Sequence, residues 1–434
     1  MNLFVWSLLA FISLHHVPVR RGEETAAAEC AVEKGRPIED RDERSEKPAV
    51  VERLQVAGCT LELFTEAPSL FSTMLQDINA ARSRIWLETY IFADDASGDS
   101  IAEALMRRAV EGLDVRVLYD AIGSQKTSPA FFHDLAAAGV KVHAYHNFRE
   151  ALRNILVLII LNRRNHRKLM VVDDRCAYFG GMNIIDYGRD FRYLHVDDTE
   201  ESHLGRRDLH VRLCGPQQVQ VAESFERSWR HALRLPIVRR PKAYRRVTLS
   251  DQDDSIHFFD SGPGFKFSRA TRVYRTLLNT GRGNVIIAMA YFIPYGKVLK
   301  AILAARRRGV RVDVVVPALS DSKIAQHAAW YLYNRLLKRG VRIYERKDRM
   351  LHSKVAVIDR QWTVVGSANM DPRSLRINLE FLAVIRSHRF AEAVRRICRY
   401  EIRRSRRVRP EEVNHRTLIE KFLNRICFAL RWWL

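Results

Sequence analysis

The chain has 434 residues, 47% of them hydrophobic, which is enough for two domains of ordinary size plus tails. A formal net charge of +22 disfavours an ordinary cytosolic metabolic enzyme and favours a polyanionic partner, either nucleic acid or an anionic membrane. The six cysteines form no CxxC pair, which argues against a disulfide framework or a zinc site and fits a reducing compartment. Cys176 and Cys214 have apolar neighbours and are interpreted as small core residues.

The N-terminal segment begins with an apolar run from Leu3 to Leu14. This run is too short to span a bilayer comfortably and lacks the preceding basic residues of a secretory signal. A shallow membrane anchor and a misassigned start codon are both open interpretations. Charges of both signs follow, up to about Arg53, and predict a solvated linker.

Regular structure is predicted to start with a helix and a strand, and this order is repeated later in the chain. The strands are expected at Ile85 to Phe92 and at Val285 to Ile293. The first helix is predicted from apolar residues at helical spacing: Leu70, Met74 and Ile78.

A second helix follows in each half and ends near a glycine, Gly112 or Gly309, before a strand rich in β-branched residues. Glycine at this place predicts a left-handed helix cap. The alternation of helices and strands predicts an α/β fold with two similar α/β/α halves, related by a pseudo-twofold axis, with the active site at their interface. The expected boundaries are an N-terminal segment and linker at 1–55, halves at 56–250 and 251–410, and a C-terminal amphipathic helix at 411–434.

The first half carries an insertion with seven consecutive apolar residues, Ile155 to Leu161, flanked by arginines. A buried strand is the favoured interpretation of this run. A lip of the active site that contacts lipid is the alternative.

Two stretches share one unusual skeleton: "HRKLMVVDDRCAYFGGMNII" from His166 and "HSKVAVIDRQWTVVGSANMD" from His352. In each, the histidine is followed by Lys two residues later, Asp at seven, Gly at fourteen and Asn at seventeen. One His-x-Lys-x4-Asp motif is a weak signal, but two extended copies at matching points of a repeated architecture are very hard to obtain by chance.

Each copy has the composition of half a phosphate site. In a strand, a histidine and a lysine two positions apart share one face, whereas the aspartate has the opposite parity and is expected to anchor the turn at the strand's end or the partner half. The small residues let backbone N–H groups approach an anion, and the asparagine adds a side-chain donor. The predicted catalytic set is His166, Lys168, Asp173, His352, Lys354 and Asp359. The predicted phosphate-binding set is Gly181, Asn183, Ser367 and Asn369.

If the halves pack together, the shared site has two imidazoles. One can attack phosphorus while the other protonates the leaving alkoxide and then deprotonates the acceptor. The lysines and asparagines can hold the phosphoryl oxygens, so neither a metal nor a cofactor is expected. Asp208 after the first motif and Glu380 after the second are candidate carboxylates that orient the histidines; surface salt bridges are the alternative. The sequence does not show which histidine attacks.

These motifs, each ending in a G-[GS]-x-N turn, resemble the phospholipase D superfamily. "GSANMDPRSLRINLE" and "NHRKLMVVDDRCAYFGGMNI" are most similar to bacterial cardiolipin synthases, over roughly Leu61 to Ser387. The resemblance implies two α/β halves with the active site between them. It also implies transfer of a phosphatidyl group from one phosphatidylglycerol to another, through a phosphohistidine, with release of glycerol. The expected location is the cytoplasmic face of the bacterial inner membrane, with peripheral or shallow attachment.

Other functions remain open at this point. A hydrolytic phospholipase D or a phosphatidylserine synthase keeps the chemistry and changes the acceptor, and a nuclease of the same fold fits the positive charge. A nucleic-acid partner is disfavoured because no exposed aromatics alternate with the basic runs. A non-catalytic basic scaffold would not need the paired His, Lys and Asn sets.

The C-terminal stretch "IEKFLNRICFALRWWL" favours an anionic phospholipid membrane, containing phosphatidylglycerol and cardiolipin, as the partner. Arginines and paired tryptophans are suited to the head-group region. An interfacial helix is therefore the favoured prediction, and a terminal helix docked on the core is the alternative. Apolar residues recur there at helical spacing: Phe422, Ile426, Leu430 and Trp433.

Overall fold

The structure is a computed structural model that describes residues 51–146, 162–187, 205–234, 249, 252–262 and 269–432. The predictions for the N-terminal apolar run, for most of the charged linker and for the apolar run at 155–161 lie outside the described residues. The described halves belong to one compact unit, Ala49–Leu434.

The first half forms one sheet of eight strands with four helices among the described residues. Its strands are β1 (Val51–Val56), β2 (Cys59–Phe64), β3 (Arg84–Thr89), β4 (Asp114–Asp120), β5 (Lys141–Tyr145), β6 (Leu169–Val172), β7 (Cys176–Gly180) and β8 (His210–Cys214). Its helices are α1 (Ala67–Asn79), α2 (Ala96–Val110), α3 (Pro129–Ala137) and α4 (Gln218–Ala232).

The second half forms a second sheet of eight strands. Its strands are β9 (Ser255–Ser261), β10 (Asn284–Met289), β11 (Arg311–Pro317), β12 (Arg342–Arg346), β13 (Lys354–Ile358), β14 (Trp362–Gly366), β15 (Glu380–Arg386) and β16 (Ser405–Arg407). Its described helices are α5 (Arg269–Thr280), α6 (Gly296–Arg307), α7 (Lys323–Leu337), α8 (Pro372–Arg376), α9 (His388–Arg403), α10 (Pro410–Asn414) and α11 (Leu418–Ala429).

The two sheets have the same topology. Their orders are β1-β2-β8-β7-β6-β3-β4-β5 and β16-β12-β11-β10-β13-β14-β15-β9, so β2 to β8 match β9 to β15 strand for strand. Three strands of each sheet are parallel, β3-β4-β5 and β10-β11-β12, and the others pair antiparallel. The prediction of two similar α/β halves is confirmed.

Local sequence signals explain several of these elements. The predicted face of α1, formed by Leu70, Met74 and Ile78, is buried as expected. Gly112 and Gly309 have φ values of 92° and 86°, which confirms the predicted left-handed caps. The predicted strands at 85–92 and 285–293 end earlier, at Thr89 and Met289, because the chain leaves each sheet to form the loops near the interface.

The inner faces of the two sheets share one core. The Phe179 ring lies 5.6 Å from the Phe258 ring and 5.7 Å from the Phe381 ring, measured between centroids. Helices α4 and α9 contribute Phe225 and Phe390 to the same cluster. Because apolar residues from both halves are removed from water together, this core holds the halves in register.

Cys176 and Cys214 are paired, which their interpretation as small core residues did not predict. They lie opposite each other on β7 and β8, with Cα atoms 4.2 Å apart, and form a disulfide. They are 38 residues apart in sequence, so only the strand register brings them together. The cysteine pattern therefore gives no support to a reducing compartment.

The C-terminal helix α11 is docked on the protein and also exposes an apolar edge. Asn424 and Cys427 are buried, and the Phe428 ring stacks on Tyr331 of α7 at 4.5 Å. The Trp432 ring contacts Tyr295, and Trp433 lies outside the described residues. Among the described residues, no helix combines the length and the apolar character needed to cross a membrane.

Candidate active site

The two motifs meet where the halves pair through their backbones. The His166 N–H donates to Leu379 O at 3.0 Å, and the His352 N–H donates to Arg207 O at 2.6 Å. Residues Arg207 and Leu379 occupy equivalent places, each preceding the last long strand of its half's repeated core. Each histidine thus pairs with the other half, which is the reciprocal pattern of a twofold arrangement.

His166 contacts a carboxylate of the second half. Its Nδ1 lies 3.2 Å from Glu380 Oε2 and 3.1 Å from Ser367 O. Glu380 is fully buried at the start of β15, and the Ser367 hydroxyl donates to it. The Tyr90 ring lies edge-on to the imidazole at 5.0 Å. These contacts fix the ring through Nδ1 and leave Nε2 for a ligand.

His352 contacts a carboxylate of the first half. Its Nδ1 lies 2.7 Å from Asp208 Oδ2, and Lys354 Nζ lies 3.3 Å from the same oxygen. A Cβ atom on Gly181 would lie 2.1 Å from Asp208 Oδ1, so only glycine leaves room for this carboxylate. Asp208 and Glu380 therefore contact the histidines of the opposite halves, which the order of residues in the chain does not reveal.

The electrostatics of this cluster favour neutral imidazoles. Burial, followed by the charge of Lys168, lowers the pKa of His166 well below 6.5, and burial and Lys354 do the same to the pKa of His352. Burial and the charge of Lys354 lower the pKa of Lys168 to about 7. Burial raises the pKa of Glu380 to about 8, so this carboxyl retains a proton at neutral pH. Neutral imidazoles are the form that can act as nucleophile and as base.

The two asparagines are oriented alike. Asn183 Oδ1 accepts a hydrogen bond from the Ile91 N–H, and Asn369 Oδ1 accepts one from the Tyr291 N–H, each at 3.4 Å. Both side chains are buried, and among the described residues neither Nδ2 has a hydrogen-bond partner. Each amide can therefore donate to an anion between the motifs.

Asp173 and Asp359 do not join this cluster; each anchors a turn, as the parity of the strand predicted. Each aspartate follows the end of a strand, and the histidine of the same motif lies near the other end of that strand. Along an extended chain the two residues are roughly 20 Å apart. Asp173 accepts hydrogen bonds from the N–H groups of residues 82–84, and Asp359 accepts them from residues 282–284. They anchor the loops that lead into β3 and β10 of their own halves.

The backbone amides at Gly181 and Ser367 are not available to an anion either. The Gly181 N–H donates to Leu209 O and the Ser367 N–H donates to Phe381 O, both at 3.0 Å. In the structure, Gly181 makes room for a carboxylate and Ser367 contacts His166 and Glu380; their binding of phosphate stays a prediction.

Sequence reasoning missed residues in the loops after parallel strands. Asp321 follows β11; its carboxylate accepts from Arg206 Nη1 at 3.0 Å and from Tyr291 Oη at 2.5 Å. Its charge also acts on the pKa of His352, so it lies close to the site. In the first half, Asp120 is the last residue of β4. The signal was present in the sequence, because loops at the carboxyl ends of parallel strands commonly carry functional groups.

Comparisons with known proteins agree with the duplicated architecture. Residues 74–192 and 274–400 match the family model described as cardiolipin synthase, PLD-like domain. Cardiolipin synthase B of Escherichia coli K12 is 33% identical over 348 residues, which cover 78% of this chain and 79% of that protein. Cardiolipin synthase of Halalkalibacterium halodurans is 29% identical over 370 residues, covering 85% and 71%. The crystal structure of phosphatidylserine synthase from Haemophilus influenzae has a TM-score of 0.63 at 16% identity, over 90% of this chain and 98% of that one, which shows a shared fold.

Proposed function

The chain belongs to the cardiolipin synthase family of phospholipase D-like proteins, and from this premise we propose that it is a phosphatidyltransferase that makes cardiolipin from two phosphatidylglycerol molecules. The observation that carries the proposal is the reciprocal pairing of the histidines with carboxylates of the opposite halves, His166 with Glu380 and His352 with Asp208. Neither half alone contains an imidazole with its orienting carboxylate.

The reaction has two steps. In the first, the Nε2 atom of one neutral histidine forms a bond to phosphorus while the bond from phosphorus to the glycerol oxygen breaks. The other imidazole takes up a proton from solvent when the anionic phosphodiester binds beside it, and gives that proton to the glycerol oxygen. In the second, the same imidazole takes the proton from a hydroxyl of the second phosphatidylglycerol, whose oxygen attacks phosphorus and releases the first histidine. The products are glycerol and cardiolipin.

The surrounding donors support the charge that develops on the phosphoryl oxygens. Lys168 and Lys354 are buried beside the histidines, and the Nδ2 groups of Asn183 and Asn369 complete the set. Donors that are already in place in a site shielded from water stabilise such charge strongly.

The test is a product assay. Purified protein is incubated with phosphatidylglycerol in detergent micelles, and the lipid products are resolved by mass. Cardiolipin with an equal amount of glycerol supports the proposal. Phosphatidic acid alone would indicate a hydrolase, phosphatidylserine formed only when serine is added would indicate that acceptor, and DNA cleavage without lipid turnover would indicate a nuclease. His166→Ala and His352→Ala should each lower turnover by at least about a thousandfold, as for residues that act as one catalytic unit.

For the membrane partner, we propose that the exposed edge of α11 contacts anionic lipid. Leu418, Ile419 and Phe422 are 83%, 72% and 64% exposed. An apolar edge on an otherwise basic protein fits a peripheral site at the bacterial inner membrane, where anionic lipids add electrostatic attraction. The cytoplasmic face stays a prediction, and the Cys176–Cys214 disulfide argues against the reducing compartment expected there.

A further inference from the structure

On the His166 side of the site, one arginine has a buried guanidinium nitrogen that is not hydrogen-bonded. Arg164 is only 6% exposed, and its Nη1 atom makes no hydrogen bond among the described residues. The nearest carboxylate oxygen, Asp120 Oδ1, lies 3.9 Å from that atom, beyond hydrogen-bond distance. Buried guanidinium groups are normally paired, because an unpaired one loses its hydration without compensation.

Asp120 is already occupied by the backbone. Its Oδ1 accepts from the N–H groups of Ile122 and Gly123 at 3.0 and 2.9 Å, and its Oδ2 accepts from the Asn165 N–H at 2.8 Å. These bonds hold the carboxylate in place. Asp120 therefore balances part of the charge of Arg164 but does not satisfy its hydrogen-bonding groups.

A second arginine lies close by. Arg373 of α8 donates from Nη2 to Asn162 O at 2.8 Å, but its buried Nε atom has no hydrogen-bond partner. Asn162 lies two residues before Arg164, so this hydrogen bond places the Arg373 guanidinium beside the segment that carries Arg164 and His166. Besides the dominant effect of burial, the charge of Arg373 also contributes to lowering the pKa of both residues. Two guanidiniums thus lie on the same side of the site.

The opposite side of the twofold site is balanced. There, Arg206 donates to Asp321 at 3.0 Å, and Tyr291 donates to the same carboxylate. This direct ion pair contrasts with the 3.9 Å separation between Arg164 and Asp120. Arg206 is therefore paired directly with a carboxylate, whereas Arg164 has no such direct pair among the described residues.

We propose that Arg164 and Arg373 bind the phosphodiester of the acceptor lipid, next to the phosphate that reacts between the two histidines. The assignment rests on the proposed function. An acceptor phosphatidylglycerol attacks through its terminal hydroxyl, which the three glycerol carbons separate from its own phosphate. The site must therefore accommodate a second anion a short distance from the first. Planar guanidiniums suit this task because they can donate in parallel to two phosphate oxygens.

The test compares two acceptors that compete for the same phosphoenzyme. Phosphatidylglycerol is supplied with a fixed concentration of ethanol, and cardiolipin and phosphatidylethanol are measured in one reaction. Because both products arise from the same intermediate, their ratio reports the acceptor step alone. The variants are Arg164→Gln and Arg373→Gln. Arg389→Gln, at an exposed position of α9, removes one positive charge away from the site and is the matched control.

Each of the two variants should lower the ratio of cardiolipin to phosphatidylethanol at least tenfold, and Arg389→Gln should leave it unchanged. An equal fall in both products, with the ratio kept, would overturn the acceptor site. If Arg164→Gln does not fold, Arg373→Gln decides, since Arg373 is only half-buried. In a second experiment, serine and ethanol compete as acceptors while phosphatidylglycerol serves as the donor. If the variants also shift the ratio of phosphatidylserine to phosphatidylethanol, the assignment to a lipid phosphate is overturned, because serine carries no phosphate. Failure of the unaltered protein to form either lipid would instead refute the proposed function.

Discussion

At the scale of single residues, burial lowers the pKa values of the positively charged groups in the site. Lys168 and Lys354 lie beside two imidazoles in a region removed from water, and burial lowers the pKa of both lysines. The lowered pKa values reduce the positive charge that must be buried when the protein folds. This explains why paired lysines are tolerated in a buried position.

Lys168 should therefore limit activity at alkaline pH. Its pKa is about 7, and the charged form is the one that holds phosphate, so the charge and the activity are lost as the pH rises through that value. The value of kcat/KM, which reports the free enzyme, should fall above pH of about 7. Lys168→Arg should have a lower maximal rate. Its fall in kcat/KM should move to higher pH, because a guanidinium stays protonated. A pH profile of unaltered protein that stays flat from neutral to alkaline pH would contradict this role.

At the scale of elements, turns position the strands that carry the site residues. Asp173 anchors one of these turns. Asp173→Ala removes acceptors for three backbone N–H groups and places alanine at a φ of 52°. The free energy of unfolding, measured in urea, should fall by about 2–3 kcal/mol, while turnover per folded molecule is kept.

The neighbouring Asp174→Ala is the matched control. Asp174 is 83% exposed and contacts only the Arg84 side chain among the described residues, so its loss should cost at most about 0.5 kcal/mol. Loss of turnover in Asp173→Ala without loss of stability would return this residue to the catalytic set.

Helix α11 should attach the protein to lipid through its exposed edge. Replacing Leu418, Ile419 and Phe422 together by serine removes apolar area worth about 1.5–3 kcal/mol per side chain when fully buried. Sedimentation with phosphatidylglycerol vesicles should show at least about a tenfold loss of binding, with unchanged thermal unfolding. Val110→Ser, at an equally exposed apolar position on α2, should bind as before. Equal binding by the triple variant would exclude this edge as the lipid contact.

The elements also show what the sequence could and could not predict. Repeated motifs and glycine caps predicted the two halves, and the parity of the strand predicted that His352 and Lys354 share a side while Asp359 does not. The sequence could not predict that Asp208 contacts His352 and that Glu380 contacts His166. These contacts join residues far apart in the chain and depend on how the two halves pack. The helical spacing in the C-terminal stretch predicted a helix but not its exposed edge, since docking on α7 turns Cys427 inward and Leu418 outward.

At the scale of the whole molecule, charged residues as well as the apolar core join the halves. Glu66 of the first half accepts from Arg349 of the second at 2.7 and 2.9 Å, and it also accepts from Arg207. All three side chains are buried. Burial alone would raise the pKa of Glu66, but the hydrogen bonds and charges of the two arginines outweigh it and lower that pKa.

Glu66→Ala should destabilise the whole protein. Removing the carboxylate leaves two buried guanidiniums short of a partner, at a cost of roughly 3–5 kcal/mol. Because the pKa of Glu66 is lowered in the fold, its contribution should be lost as the pH falls through that value, so the two proteins should converge in stability at acid pH. Thermal unfolding across pH measures this, with the exposed Glu103→Ala as control. A difference that stays constant down to acid pH would contradict the ion pair as its source.

The central claim is that the two motifs act on one phosphorus atom. The most direct measurement is a crystal structure with vanadate, which copies the five-coordinate phosphoryl group. We expect one vanadate between the halves, with the Nε2 atoms of His166 and His352 on opposite sides, each within about 3 Å of the vanadium or one of its oxygens. Vanadate bound to only one histidine, or histidines too far apart to reach the same ion, would contradict it.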